Sequence, residues 1–312
     1  MYRHGVFSGM DEAKEVTDIF ALSSPAHYLK CFNLFQKKSG QLEKNAEILQ
    51  EHIPPIIQRM IRDSVGQTLN ILSAGSGDGK IDLMILKLIE EELRKSNHDR
   101  HMKIFNRAIE TNKYMCDLYK AVIESLPSSP DDRNTKFEIR QQTFEEYQGS
   151  QKGATKFDII HFVHSIYYVD IEETLLYCFE KELSDKGYVI CIVDFEGIIS
   201  PIFLKQIKLW PVEDAVRKGH ETAEKLITIA DENGWKHEAY THVYELDVTD
   251  VFDPRSTEGN LLLDFLTQTV NYREVADKKL VEETLALIKD LSIERDGKNF
   301  GEKKESLVIM YK

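Results

Sequence analysis

The sequence predicts an α/β fold, a parallel sheet wound doubly with helices on both faces, and three observations predict it. Short apolar runs alternate with stretches of helical periodicity from residue 69 onward. The first run, Leu69-Asn70-Ile71-Leu72-Ser73-Ala74, passes through Gly75-Ser76-Gly77-Asp78-Gly79 directly into a helical pattern. A strand that turns through glycines into a helix is the unit on which such sheets bind nucleotides. The last apolar run, 306–311, follows a charged loop and adds a late strand.

Up to residue 66 the pattern is helical, with apolar residues at helix spacing from Ala26 to Phe35 and from Ala46 to Ile61, around Pro54-Pro55. This reads as a helical cap, 1–66, ahead of a domain spanning 67–312. A strand at 69–74 is followed by a helix at 81–94 with apolar residues Ile81, Ile85, Leu88, Ile89 and Leu93. Then come a strand at 103–109, a helix at 112–125 and strands at 136–139 and 157–163. A helix at 171–184 and a strand at 188–194 follow. The stretch 195–219, beginning Phe195-Glu196-Gly197-Ile198-Ile199-Ser200-Pro201, is irregular and apolar and reads as a substrate-side insertion, part of a lid. A helix at 221–232 ends at Asn233-Gly234, a helix stop. After a strand at 235–246, a second insertion, 247–305, carries helices at 259–269 and 277–291. The sequence holds no internal repeat and no low-complexity tract.

Composition narrows the function. With 312 residues, 42% hydrophobic and 30% charged, the chain has the usage of a folded globular protein. No apolar run approaches the ~20 residues that span a bilayer, and the N-terminal segment lacks a signal-peptide core. A cytoplasmic protein with no membrane partner is expected. A net charge of −13 repels a phosphate backbone, so no nucleic-acid partner is expected. Cys31, Cys116, Cys178 and Cys191 are far apart and form no Cys-x-x-Cys, which predicts reduced, buried thiols and no metal site.

The glycine stretch carries the chemistry. Glycines let the backbone turn tightly and let a ligand approach the main chain. A dinucleotide fingerprint needs its third glycine at position 80, where Lys80 stands, and this favours S-adenosylmethionine over a nicotinamide cofactor. Glu110, at the end of the second strand and followed by Thr111, is placed to accept both ribose hydroxyls. His161-Phe162-Val163-His164-Ser165-Ile166-Tyr167-Tyr168 closes the fourth strand, and ligands bind outside the carboxyl ends of such strands. These side chains are expected to border the reacting group. His161 and His164 lack the i, i+4 spacing of helical metal ligands. An oxidoreductase or a non-catalytic cofactor-binding protein stays open at this point.

These residues resemble the histamine N-methyltransferase family over most of the chain from Ser24 onward. The resemblance rests on Ile71 through Leu83, on Phe157-Asp158-Ile159-Ile160-His161 through Tyr167-Tyr168-Val169, and on Leu263-Asp264-Phe265-Leu266-Thr267-Gln268-Thr269-Val270-Asn271. It implies the seven-stranded class I methyltransferase sheet, in which the last strand, 306–311, inserts antiparallel beside the fifth. It also implies that Gly75 and Glu110 match cofactor residues and that the Val163 backbone touches the cofactor. Met115 stands where the family has a glutamine near the adenosine, and Phe144 near its serine. At the three substrate positions the family has a glutamate, a glutamine and an asparagine. The first falls on Ala26 or His27, the second on His164 and the third near Lys303.

The expected cofactor set is therefore Gly75, Ser76, Gly77, Gly79, Glu110, Thr111, Thr143 and Val163, holding S-adenosyl-L-methionine. The expected acceptor set is Phe20, His27, His164, Tyr167, Tyr168, Phe265 and Lys303, with His164 as the catalytic residue. The implied activity is N-methylation of a small imidazole- or amine-containing metabolite, histamine-like, histidine-like or carnosine-like, by a monomer. Histidines and a lysine in place of a carboxylate suit a carboxylate-bearing or neutral ring. The Asp/Asn-Pro-Pro-aromatic motif of many nucleic-acid and protein-amide methylases is absent after the fourth strand, and this turns the reading toward small molecules. Methylation of another small molecule, or cofactor binding without catalysis, is the alternative.

Overall fold

The computed structural model describes residues 24–62, 68–96, 102–127, 134–150, 155–207 and 222–312. Phe20 and residues 208–219 of the expected lid lie outside them. The described residues form two compact units, one from those between 39 and 246 together with 302–312, the other from 24–38 with 247–301.

In the larger unit, α2 (Gln41–Arg62) precedes β1 (Thr68–Ala74), α3 (Lys80–Lys95), β2 (Lys103–Glu110), a helix at Lys113–Glu124 and β3 (Thr135–Gln141). A short helix, Phe144–Ser150, leads to β4 (Phe157–Val163), a helix at Ile171–Tyr177, β5 (Leu183–Gly197), helices at Ile199–Ile207 and Thr222–Glu232, and β6 (Lys236–Asp247). The late strands are β7 (Ser292–Arg295) and β8 (Lys298–Tyr311). The sheet order is β3-β2-β1-β4-β5-β8-β6, with β7 pairing only with β8. Strands β1 to β5 run parallel, while β8 runs antiparallel to β5, with Tyr188 opposite Tyr311 and Val193 opposite Ser306. Apart from β7, this is the expected seven-stranded class I arrangement.

The pleat explains the continuous apolar runs. Ile71, Ile159, Ile190 and Ile309 face one side, where they join Leu49, Ile53 and Ile57 of α2 and Ile85 and Ile89 of α3. Leu72, Ile160, Val189 and Val308 face the other, against Tyr147, Leu175 and Leu226. Strands covered on both faces have no polar side to show. The apolar stripe of α2 belongs to the sheet's core, and α2 falls within the larger compact unit.

Local structure departs from expectation in several places, among them β8, which begins at Lys298 instead of 306. The helix expected at 171–184 narrows to Ile171–Tyr177, then widens into a π turn at Cys178–Glu182. Leu183 already pairs with Phe157, so β5 begins five residues earlier than Tyr188. Phe144–Ser150 forms a helix because Thr143 and Glu146 cap it reciprocally: Glu146 N–H donates to Thr143 Oγ1 at 3.1 Å and Thr143 N–H to Glu146 Oε2 at 2.8 Å. Part of the expected lid, Ile199–Ile207, is helical.

The smaller unit is built from α1 (Pro25–Ser39), the helices Thr257–Thr267 and Lys278–Asp290, and the β7 hairpin. Phe35 stacks on Phe265 at 4.5 Å. Asp264 accepts the Asn271 and Tyr272 N–H groups at 2.9 Å each and ties down the turn after its helix. All four cysteines are buried and free. Among the described residues, no helix is long and apolar enough to cross a membrane.

Candidate active site

β1 delivers the chain to Gly75, Gly77 and Gly79, which alternate at φ of 73°, 55° and 80° before α3 begins. Those left-handed values suit glycine alone at no steric cost. A Cβ on Gly79 would lie 2.2 Å from the Tyr119 ring, and one on Gly75 would lie 2.4 Å from Ser165 Cβ. On Gly77 it would meet no protein atom within 4 Å, so this residue borders open space, as a cofactor cradle requires.

Glu110 closes the loop. Its Oε2 accepts the Gly77 N–H at 2.9 Å, and its Oε1 accepts the Asn112 N–H at 2.8 Å and the Thr111 hydroxyl at 3.4 Å. Two buried polar atoms here, Ser76 Oγ and Gln142 Nε2, have no hydrogen-bond partner among the described residues. Buried polar groups are nearly always paired. A nucleoside ligand with hydroxyls and ring nitrogens supplies what they lack, so the residues present fit S-adenosylmethionine. Thr143, by contrast, spends its hydroxyl on the helix cap.

Beneath the loop lies a buried polar network. Asp82 accepts Ser73 Oγ at 2.7 Å, Tyr119 OH at 2.9 Å and Asn106 Nδ2 at 3.4 Å, with His161 Nε2 at 3.7 Å. Burial raises the Asp82 pKa and lowers that of His161, the Coulombic attraction between them opposing both shifts. His161 therefore lies inside the core beside Asp82, in the network beneath the glycine loop.

His164 leaves β4 at φ 52°, held by its N–H to Ile192 O at 2.9 Å. A non-glycine residue in this region stores about 1–3 kcal/mol of strain, which clusters at functional sites. Next to it, Ser165 Oγ donates to Ala74 O at 2.6 Å, bringing His164 within one residue of the glycine loop. Five further side chains converge on it: Gln41 from the start of α2, Asp194 from β5, Tyr244 from β6, and Lys303 and Glu305 from β8. Gln41 Nε2 donates to Glu305 Oε1 at 2.7 Å and stands 3.2 Å from His164 Nε2. His164 Nε2 is 3.5 Å from Glu305 Oε1, and its Nδ1 is 3.7 Å from Asp194 Oδ1. Tyr244 OH donates to Glu305, and Lys303 forms an ion pair with Asp194. His242 Nε2 lies 3.4 Å from Glu305 Oε2.

Burial alone pulls the His164 imidazole down, but Glu305 and then Asp194 outweigh it and hold its pKa above the ordinary 6.5. Burial likewise opposes ionisation of Glu305, and His164 and Lys303 overcome it, leaving that carboxyl well below its usual range. Burial, with Glu305 adding to it, pushes the Tyr244 hydroxyl up. The cluster thus sets the His164 imidazole beside a fully buried carboxylate, each favouring the charged form of the other. His164, Asp194 and Glu305 each bring one ligand-type atom within 4.8 Å of the others, and the Lys303 ammonium stands among them.

Of the expected acceptor residues, His164 and Lys303 meet here. Tyr167 and Tyr168 follow in a short 3-10 turn, their rings edge to face at 4.9 Å, with Tyr168 largely exposed. Val163 is half-buried at the strand end, packed against the α2 side of the core. His27 and Phe265 belong to the smaller unit, where His27 Nε2 is 2.9 Å from Asp264 Oδ2. The N-terminal cap residue that reaches His164 and Glu305 is Gln41. Sequence reasoning missed Gln41, Asp194, His242, Tyr244, Glu305 and Gln142.

No family model matches the sequence. Among curated proteins, rat histamine N-methyltransferase is 29% identical over 289 residues, covering 88% of this chain and 92% of that protein. The zebrafish histamine N-methyltransferase is 28% identical over 295 residues, covering 90% and 94%. Among solved structures, the plantazolicin methyltransferase BpumL in complex with triazolic desmethylPZN analog and SAH aligns over 94% of this chain and 95% of its own. Its TM-score is 0.48, at 11% identity. Kinship over about nine-tenths of the chain, with the sheet order and the loop that Glu110 closes, makes this an S-adenosylmethionine-dependent methyltransferase related to the histamine N-methyltransferases.

Proposed function

We propose that the chain methylates a nitrogen of a small imidazole- or amine-containing metabolite of the histamine, histidine or carnosine kind. The observation that carries the reading is the polar cluster around His164, set at the carboxyl ends of β4 and β5 one residue from the glycine loop. The names of its relatives support nitrogen as the accepting atom. Its net charge of −13 supports a free metabolite in the cytosol over nucleic acid.

When bound, S-adenosylmethionine supplies an electrophilic sulfonium methyl group, and Gly75, Ser76, Gly77 and Glu110 are the residues that would hold it. The protein's own work is alignment, which can supply roughly 7–11 kcal/mol when nucleophile and electrophile are held in near-attack geometry. Gln41 Oε1 is buried with no hydrogen-bond partner among the described residues and can accept an acceptor N–H. His164 orients the ring and, in its neutral form, takes the proton that the methylated nitrogen heterocycle releases. A panel of imidazoles and amines, incubated with S-adenosylmethionine and read by mass for one added methyl, tests the proposal.

A further inference from the structure

Among the described residues, two groups of three ligand-type side chains bring their donor atoms within 4.8 Å of one another. One is His164, Asp194 and Glu305, where the Lys303 ammonium already fills the place of a cation. The other lies wholly within the smaller unit: His27 and Cys31 of α1, with Asp264 of the helix Thr257–Thr267. Cys-x-x-Cys is absent from the chain, yet His27 and Cys31 stand four residues apart, the spacing that puts two metal ligands on one face of a helix. Asp264 meets them from a second helix, its Oδ2 2.9 Å from His27 Nε2.

We infer that His27 Nε2, Cys31 Sγ and Asp264 Oδ2 form a zinc site, with water in the fourth position. A nitrogen, a sulfur and a carboxylate oxygen suit Zn2+, whereas a thiolate disfavours Mg2+ and Ca2+. Tetrahedral bonds of about 2.0–2.3 Å set ligand atoms about 3.3–3.8 Å apart, so His27 and Asp264 need open by only about half an ångström to admit the ion. The carboxylate is already oriented. Its Oδ1 accepts the Tyr272 N–H and its Oδ2 the Asn271 N–H, which leaves Oδ2 the one lone pair that now meets His27. Charge favours the ion as well, because Cys31 and Asp264 are buried and a divalent cation neutralises thiolate and carboxylate together. Burial and the Asp264 charge push the free thiol up to about 12, so its proton leaves to solvent only as the bond to zinc forms. His27, with its side chain 22% exposed, is the edge at which the ion enters and water completes the shell. Zinc held there clasps α1 to the helix Thr257–Thr267.

The full chain, reduced and stripped of metal with a chelator, is titrated with Zn2+ by calorimetry and with Co2+ by absorption. One ion per chain is expected, with a dissociation constant of about a micromolar or below. Co2+ should show the sulfur-to-metal charge-transfer band and the intense visible bands of a tetrahedral site, and Zn2+ should raise the melting temperature. Cys31→Ser should abolish the charge-transfer band. His27→Gln, at the exposed edge, should weaken zinc binding at least about tenfold and serves as the comparison if the buried Cys31→Ser fails to fold. His164→Gln, which alters the other group of three, should leave zinc binding and the cobalt spectrum unchanged. A wild type that binds no zinc up to about 100 μM overturns the inference. So does binding without a charge-transfer band, binding that His27→Gln leaves undiminished, or binding that His164→Gln removes.

Discussion

Gly77 donates its N–H to Glu110 Oε2 at 2.9 Å, so the glycine loop and the carboxylate at the end of β2 hold each other in place. Removing the carboxylate takes away the expected ribose acceptor and loosens the loop. Glu110→Ala should weaken S-adenosylhomocysteine binding by about 1–3 kcal/mol by calorimetry. Affinity equal to wild type contradicts the assignment.

Gly79 is constrained by protein packing, since its Cβ would enter the Tyr119 ring. Gly79→Ala should destabilise the fold by about 1–3 kcal/mol in urea unfolding. Tyr119→Phe removes a hydrogen bond from buried Asp82 and should cost about 1–3 kcal/mol. A neutral effect of either change would mean that the network beneath the loop relaxes freely.

His164 and Glu305 predict a pH signature. The raised His164 pKa contributes stability that is complete below 6.5 and is lost as pH rises through its folded value. The depressed Glu305 pKa contributes stability present above 4.5 and lost as pH falls through its folded value. The melting temperature should therefore be highest between these two and decline toward alkaline pH. His164→Gln should flatten the alkaline decline, and a decline of unchanged slope in that variant contradicts the pairing.

In turnover, His164→Gln should lower kcat/KM for the best acceptor by about 10–100-fold with little change in cofactor affinity. The low-pH limb of kcat/KM should lie above the free-histidine value of 6.5 in the wild type and disappear in the variant. A limb that persists unmoved assigns proton loss to the acceptor itself.

The glycine loop of the candidate cofactor site was legible because it is local: one strand, five loop residues and the start of one helix form it. The bounds of β4, 157–163, were readable for the same reason, an unbroken apolar run in a sheet covered on both faces. Much of the acceptor half was not, because Gln41 lies 123 residues from His164 and 264 from Glu305 in sequence. Glu305 read as part of a charged loop and Lys303 entered only through the resemblance, whereas each is buried in β8 by partners the sequence cannot bring together. The helix at Phe144–Ser150 carried a readable cap, Thr143 with Glu146, that apolar periodicity alone overlooks. Gln41 was missed because the polar start of α2 looks like any solvated helix end until β8 packs over it.

The most direct test of the account is a single incubation of the purified chain with S-adenosylmethionine and a mixture of histamine, 4-methylimidazole, imidazole acetate, histidine and carnosine, followed by mass spectrometry. The account predicts one added methyl on a nitrogen of at least one of them, matched mole for mole by S-adenosylhomocysteine and abolished in Glu110→Ala at limiting cofactor. Cofactor binding with no methylated azole or amine would contradict it.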